Sequence, residues 1–149
     1  MTEDGIMELA KNEGFTNVAV IPADKLVFDR ELRKYCEENV CGNYGKNYSC
    51  PPFCGTPEEM RDRAGKYGRA WIFQTIADVG SWDNRRKLVE VKADHNRRSR
   101  NLIQMLREEG VDGLPMLAGP CEACGTCKGF SGEACKYPEE APSVFPLTA

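Results

Sequence analysis

The chain's 149 residues are 41% hydrophobic and carry a formal net charge of −3. This length is enough for one domain with its own core and too short for two ordinary ones, so we expect a single domain over residues 1–149. The mild negative charge gives no general reason to expect a nucleic acid or a membrane as partner. No apolar run reaches the length of a signal peptide or a membrane span, so we expect a cytoplasmic protein.

The first predicted elements are a helix, a strand and a second, short helix. Thr2 is placed to cap the first helix and Gly14 to end it. The apolar run at 18–21 predicts a strand buried on both faces. Asp29 then caps a short helix that ends at Cys36.

The middle of the chain contains a loop, a helix and a strand. Residues 36–55 have no helical or strand period and are rich in Gly, Asn, Tyr and Pro, which predicts a loop. Thr56 and Glu59 have the spacing of a capping box at the start of the next helix. The β-branched and aromatic residues at 69–77 predict a central strand.

The last predicted elements define the fold class. A long helix is expected over about 84–109, and LPMLA at 114–118 reads as another strand. A strand, a helix and a strand in this order form a right-handed unit with parallel strands. We therefore predict a single compact α/β domain with a small, mainly parallel sheet, flanking helices and two cysteine-rich loops, 36–54 and 121–135. Since ligands collect beyond the carboxyl ends of such strands, the later loop is expected on that rim.

The eight cysteines form two groups of four with none between them. The early quartet is Cys36, Cys41, Cys50 and Cys54, and the late quartet is Cys121, Cys124, Cys127 and Cys135. The cytosol keeps thiols reduced, so metal binding is favoured over disulfides. The grouping predicts two four-thiolate sites or one large shared centre.

The late quartet has the spacing C-x2-C-x2-C-x7-C, with Pro138 three places after the last cysteine. Three cysteines at such steps wrap three corners of a [4Fe–4S] cluster, and a remote cysteine, here Cys135, supplies the fourth ligand. Zinc is the alternative, although its structural sites usually pair two separate C-x2-4-C turns. Without Cys135 as ligand, one iron would stay open to a substrate.

The early quartet, C-x4-C-x8-C-x3-C, is looser and less diagnostic. A second iron–sulfur cluster, a zinc site, and a mixture of ligand and non-ligand cysteines all remain open. Lys46 lies between the cysteines, where its charge would lower thiolate pKa values. Tyr44 and Tyr48 are expected mainly to pack around the site.

Two motifs resemble a known family. They are YGKNYSCPP at 44–52, and GPCEACGTC at 119–127 with CKYP at 135–138 and APS at 141–143. Together they resemble the predicted metal-binding proteins grouped as domain-of-unknown-function family 2284. The resemblance implies that all eight cysteines are candidate metal ligands, and that the protein is an iron–sulfur protein of anaerobic metabolism.

Outside the cysteines, two features bear on function. His95 is the only histidine and falls on the apolar stripe of the long helix, where a core position is the simplest interpretation. Residues 84–107 carry eight Arg or Lys against two acidic residues. The basic face of the 85–100 helix is either solvated or a docking surface for an acidic redox partner protein. Binding of nucleic acid is less expected, since only Trp82 is near in sequence as a stacking platform.

These observations favour electron transfer by a [4Fe–4S] cluster on the late quartet, with a second centre, iron–sulfur or zinc, on the early quartet. One alternative is an iron–sulfur enzyme whose open iron binds a small substrate, with Lys46, Tyr44 or Tyr48 as proton donors. The other is a structural zinc module that presents the basic helix to a partner. Catalytic residues are not predicted.

Overall fold

The computed structural model describes residues 1–137. They contain four α-helices and one two-stranded sheet, a mixed α/β composition. The chain divides into two compact units: Met1–Pro22 with Arg69–Asp112, and Ala23–Gly68 with Gly113–Ala149. A single domain stays a prediction from the sequence. Pro138, the APS motif and most of the C-terminal tail lie outside the described residues.

The first unit begins with the helix that the sequence predicts. Helix α1 spans Glu3–Glu13; the Thr2 side chain accepts a hydrogen bond from the Gly5 N–H, and Gly14 ends the helix at φ 107°. Glycine is favoured there because other residues are strained in the left-handed region. Both predicted boundaries are confirmed.

The sheet differs from the prediction. Strands β1 (Asn17–Pro22) and β2 (Arg69–Gln74) pair antiparallel, with Val20 opposite Trp71. The mainly parallel sheet is therefore wrong. Exposed and half-buried residues also mix along β1, so the strand is not buried on both faces as predicted.

The third strand, expected at 114–118, is absent from the described chain, where these residues have no regular structure. Pro115 has no N–H to donate and interrupts any hydrogen-bond ladder at that point. Without this strand there is no parallel unit around the long helix. The expected placement of the late cysteine loop on the rim of a parallel sheet therefore has no basis.

The long helix carries the apolar core of the first unit. Helix α4 spans Arg85–Glu108 and is capped by the Asn84 side chain. Leu102, 1% exposed, packs with Ala10 and Phe15 to form the core cluster. His95 lies half-buried on the same helix, edge-on to the Phe15 ring, as its helical phase predicts.

The second unit consists mostly of turns and short helices. Helix α2 spans Arg33–Glu37 and follows a 3-10 turn capped by Asp29; helix α3 spans Pro57–Ala64. The predicted capping box of α3, between Thr56 and Glu59, is present. A further 3-10 helix covers Lys128–Ser131.

The second unit has almost no apolar core. Among its described residues, the buried ones are Ala23, Asn47, Pro51, Cys54 and Ala64. No large aliphatic or aromatic side chain is among them, so hydrophobic burial contributes little to the stability of this unit. Domains with too small a core are usually held by disulfides or metals, and every described cysteine is a free thiol.

Candidate metal centres

The early quartet is spread over helix α2 and the turns that follow it. Cys36 lies in α2, while Cys41, Cys50 and Cys54 lie in the irregular segment before α3. Backbone hydrogen bonds fold this segment back on itself, among them Gly45 N–H to Pro51 O at 2.8 Å and Cys54 N–H to Cys50 O at 3.2 Å. These turns gather cysteines that are up to 18 positions apart in the sequence.

The pKa of Cys50 is affected by the other three early cysteines, which indicates that they lie near it. Burial raises the pKa of Cys50 most, and negative charge on Cys41, Cys54 and Cys36 would raise it further. The Ser49 hydroxyl acts in the opposite direction. The other three thiols of the quartet thus lie within electrostatic range of Cys50, and a cation among them would relieve the repulsion of their thiolates.

Exposure differs sharply within the early quartet. Cys41 is exposed, and hydrogen bonds from Asn43 lower its pKa. Cys54 is only 3% exposed, and burial raises its pKa. A metal bound here would have one side open to solvent near Cys41 and one buried side at Cys54.

Two arginines support the buried side of the early quartet. Arg33 donates to the Gly55 carbonyl at 2.8 Å, and its Nη2 lies 4.0 Å from the Cys54 sulfur. Arg63 donates to the Cys54 carbonyl at 2.6 Å. Both guanidinium groups lower the pKa of Cys54 against the effect of burial. They favour a thiolate at this position, the form that binds metal.

The late quartet lines a pocket. All four of its cysteines border an empty volume of about 320 Å³, part of it open to solvent, together with Tyr48, Ala123, Lys128, Lys136 and Tyr137. Burial raises the pKa of Cys121, and negative charge on Cys127, Cys135 and Cys124 would raise it further. The remote Cys135 therefore borders the same pocket as the other three late cysteines.

Backbone amides point at the late sulfurs. The Cys127 sulfur accepts N–H groups from Gly129 and Tyr48, each at 3.5 Å, and the Cys135 sulfur accepts the Tyr137 N–H at 3.4 Å. Such hydrogen bonds stabilise negative charge on sulfur, which raises the reduction potential of a bound cluster.

The two cysteine loops meet within the second unit. Asn47, 3% exposed, donates from Nδ2 to the Cys121 carbonyl at 3.0 Å, and the Ser49 hydroxyl accepts the Cys121 N–H at 2.8 Å. The Tyr48 hydroxyl donates to the Glu133 carbonyl at 2.5 Å. A segment of the early loop therefore forms part of the wall around the late quartet.

The thiols do not converge on one point. Over residues 1–137, no group of three or more His, Cys, Asp or Glu side chains is arranged so that it could hold a metal ion. A single tetrahedral zinc needs its sulfurs only about 3.8 Å apart, from Zn–S bonds of about 2.3 Å. A cubane cluster is held at its corners, so its ligand sulfurs stay farther apart. Thiolates bind both zinc and iron–sulfur clusters, so the chemistry of the late quartet suits either group.

Other residues singled out in the sequence have packing roles here. The Lys46 ammonium lies 5.9 Å from the centre of the Phe130 ring, and Tyr48 packs edge-on to Phe53. Tyr44 donates its backbone N–H to the Asn39 side chain at 3.0 Å.

Sequence reasoning missed Asn47, Ser49, Arg33 and Arg63. The first two stand inside the motif YGKNYSCPP, and polar residues between candidate ligands are a usable signal for such supporting contacts. The arginines carried no such signal. Arg33 comes from a helix before the loop and Arg63 from a helix after it.

These features define a cysteine-rich α/β protein with two clusters of free thiols. The family model described as "Predicted metal-binding protein (DUF2284)" matches residues 19–145, and the chain belongs to this family. The resemblance seen in the motifs is thereby confirmed. No curated protein and no solved structure matches the chain. Metal binding, rather than a particular reaction, is what family membership indicates.

No helix within residues 1–137 combines the length and the apolar character needed to cross a membrane.

Proposed function

We propose that this protein transfers electrons through a [4Fe–4S] cluster held by Cys121, Cys124, Cys127 and Cys135. The observation that carries the proposal is the pocket that all four late cysteines line. Three amide N–H groups directed at two of these sulfurs support it, because the ligands of iron–sulfur clusters accept such bonds. A bound cluster would take up and release single electrons.

A second metal centre on Cys36, Cys41, Cys50 and Cys54 belongs to the proposal. Three of the thiols, at Cys36, Cys41 and Cys54, act electrostatically on Cys50, and two guanidinium groups act against the effect of burial on the pKa of Cys54. An iron–sulfur cluster is proposed here too, and zinc, which thiolates also bind, is the alternative. The protein is proposed to act in the cytoplasm, under the anaerobic conditions in which exposed clusters persist.

The redox proposal is tested by spectroscopy on protein purified without oxygen. Thiolate-to-iron charge transfer should give broad visible absorbance that bleaches with dithionite and returns on reoxidation over several cycles. Reversible bleaching supports electron transfer. Absorbance that is absent, or unchanged by dithionite, contradicts it.

A second candidate is catalysis at an iron of the late cluster. The observation in its favour is that Lys128 and Lys136 border the same pocket, which would suit a small anionic substrate. Replacing Cys135 with Ser separates the two functions, with Cys124→Ser as the matched variant. Loss of reversible reduction in both variants supports the electron carrier. If the cluster persists in Cys135→Ser but is lost in Cys124→Ser, Cys135 is not a ligand. One iron would then be open to a substrate, which favours catalysis.

The proposed partner is an acidic one-electron carrier protein that docks on the basic face of α4. Ion pairs of Arg86 with Glu90 and of Arg97 with Asp94 offset part of the charge, and the helix region retains an excess of six basic residues. Attraction of this kind accelerates encounter and is screened by salt. Reduction by such a carrier should slow as salt rises, and more steeply in the native protein than in Lys87→Glu. Equal salt dependence would contradict this docking surface.

A further inference from the structure

The early and late quartets are joined by residues 46–50, here called the linking segment. The first contact of this segment with the late loop is between backbone atoms. The Lys46 carbonyl oxygen lies so close to the α-carbon of Gly129 that a β-carbon on Gly129 would collide with it. Only glycine permits this approach, which brings the early loop against the residue whose N–H donates to the Cys127 sulfur.

The buried side chain of Asn47 fixes the linking segment through hydrogen bonds. Its Nδ2 donates to the Cys121 carbonyl at 3.0 Å, and its Oδ1 accepts the Ser49 N–H at 2.9 Å and the Ser49 hydroxyl at 2.7 Å. The side chain is 3% exposed, so losing any of these bonds would leave a buried polar group unpaired. The position of Ser49 is therefore tightly determined.

Ser49 contacts both quartets with one oxygen atom. Its hydroxyl accepts the Cys121 N–H at 2.8 Å and lies 3.7 Å from the Cys50 sulfur. The Cys50 sulfur and the Cys121 backbone are thus connected through the Ser49 hydroxyl by two non-covalent contacts. Tyr48, the adjacent residue, adds the bond from its N–H to the Cys127 sulfur at 3.5 Å.

We propose that the linking segment couples the two metal centres, with Ser49 as positioning residue, so that an electron entering one centre passes to the other. This inference rests on the proposed function. The late cysteines would hold one centre and the early cysteines the other; when bound, the pair would supply one-electron transfer, with the electron coming from an external one-electron donor and no bond broken. The Ser49 proton stays on its oxygen, which donates it to the Asn47 Oδ1 at 2.7 Å.

The test uses the full chain, loaded with its metal centres and titrated with dithionite under electron paramagnetic resonance. In the native protein, full reduction should give a spectrum broadened by interaction between two nearby paramagnetic centres, not the sum of two isolated signals. Ser49→Ala should shift the midpoint potentials of both centres at unchanged iron content. Ser49→Thr, which keeps the hydroxyl, should retain both potentials.

Two controls make the test specific. Ser131→Ala removes a hydroxyl that lies beside the late quartet and donates within its own loop, to the Lys128 carbonyl and the Glu133 carboxylate, so both potentials should stay unchanged. Gly129→Ala should separate the loops and reduce the magnetic interaction. Gly113→Ala, where a β-carbon meets nothing within 4 Å, should not.

The outcomes separate this inference from the proposed function. Two loaded centres with independent spectra, or a Ser49→Ala shift confined to the early centre, would overturn the coupling and leave electron transfer intact. Protein that binds no iron would overturn both. An interacting spectrum, together with shifts at both centres, supports the coupling.

Discussion

The sulfur of Cys127 accepts the backbone N–H of Tyr48, 79 positions earlier in the chain, at 3.5 Å. A candidate ligand of the late centre thus draws part of its hydrogen bonding from the loop that carries the early cysteines. Hydrogen bonds to ligand sulfurs tune the potential of a bound cluster. The early loop therefore belongs to the environment of the late quartet, whether or not the early quartet binds a metal.

Replacing Arg33 with Gln should lower the reduction potential of the early centre. Its guanidinium lies 4.0 Å from the Cys54 sulfur, and removing a nearby positive charge makes the reduced, more negative state less favourable. A charge at about 4 Å acts with roughly 1 kcal/mol or more. For one electron this is roughly 40 mV or more, since a tenfold change in equilibrium constant is about 59 mV.

A potentiometric titration measures this shift. Arg61→Gln, which removes an exposed arginine from helix α3, is the control and should leave the potential in place. An unchanged potential in Arg33→Gln would show that this arginine has only a structural role at Gly55.

Removing the metals should unfold the second unit selectively. Its described residues bury no large apolar side chain, so we expect bound metal to contribute much of its folding free energy. After oxidative removal of the clusters and reduction of the thiols, backbone amides around residues 36–55 and 121–135 should exchange hydrogen faster.

Helices α1 and α4 serve as the internal control in the same exchange experiment. They surround the core cluster of Ala10, Phe15 and Leu102, so their amides should keep most of their protection. If the cysteine loops are equally protected with and without metal, the metals do not hold this unit together.

The free energy of unfolding should fall as the pH is lowered from about 7 to about 5, in part because of His95. Burial lowers its pKa below the ordinary value, and the nearby Arg98 lowers it further, although Asp94 acts in the opposite direction. The unfolded chain then takes up the proton before the folded chain does, so stability is lost as the pH falls toward the folded pKa.

Urea unfolding followed by the helical circular dichroism signal measures this loss. His95→Gln should lose less free energy than the native chain over the same pH range. Effects common to both proteins, such as acid loss of metal, cancel in the difference. The lowered pKa of Asp94 acts only below about pH 4, outside the window. Parallel curves for the two proteins would contradict this role for His95.

Local signals in the sequence predicted several helix ends correctly. Thr2, Gly14 and the Thr56–Glu59 capping box each act through contacts a few residues away, so a short window of sequence contains the cause. The early cysteine loop was also recognisable, because the many Gly, Pro and Asn residues at 36–55 disfavour long regular elements there. Family membership followed from motifs in the two cysteine loops.

Strand pairing could not be predicted in the same way. Val20 pairs with Trp71 across the whole intervening cysteine loop, and nothing local to either strand specifies an antiparallel partner. The apolar run at 114–118 suggested a strand, but the effect of Pro115 was underestimated. The supporting contacts of Asn47 and Ser49 depend on how the two loops pack against each other. The spacing of residues within either loop does not reveal this packing.

Analysis of iron, zinc and acid-labile sulfide in one anaerobically purified sample tests the central claim most directly. Two cubane clusters require about eight irons and about eight sulfides per chain, with little zinc. Zinc without sulfide would contradict the redox function and leave a structural metal-binding protein in its place.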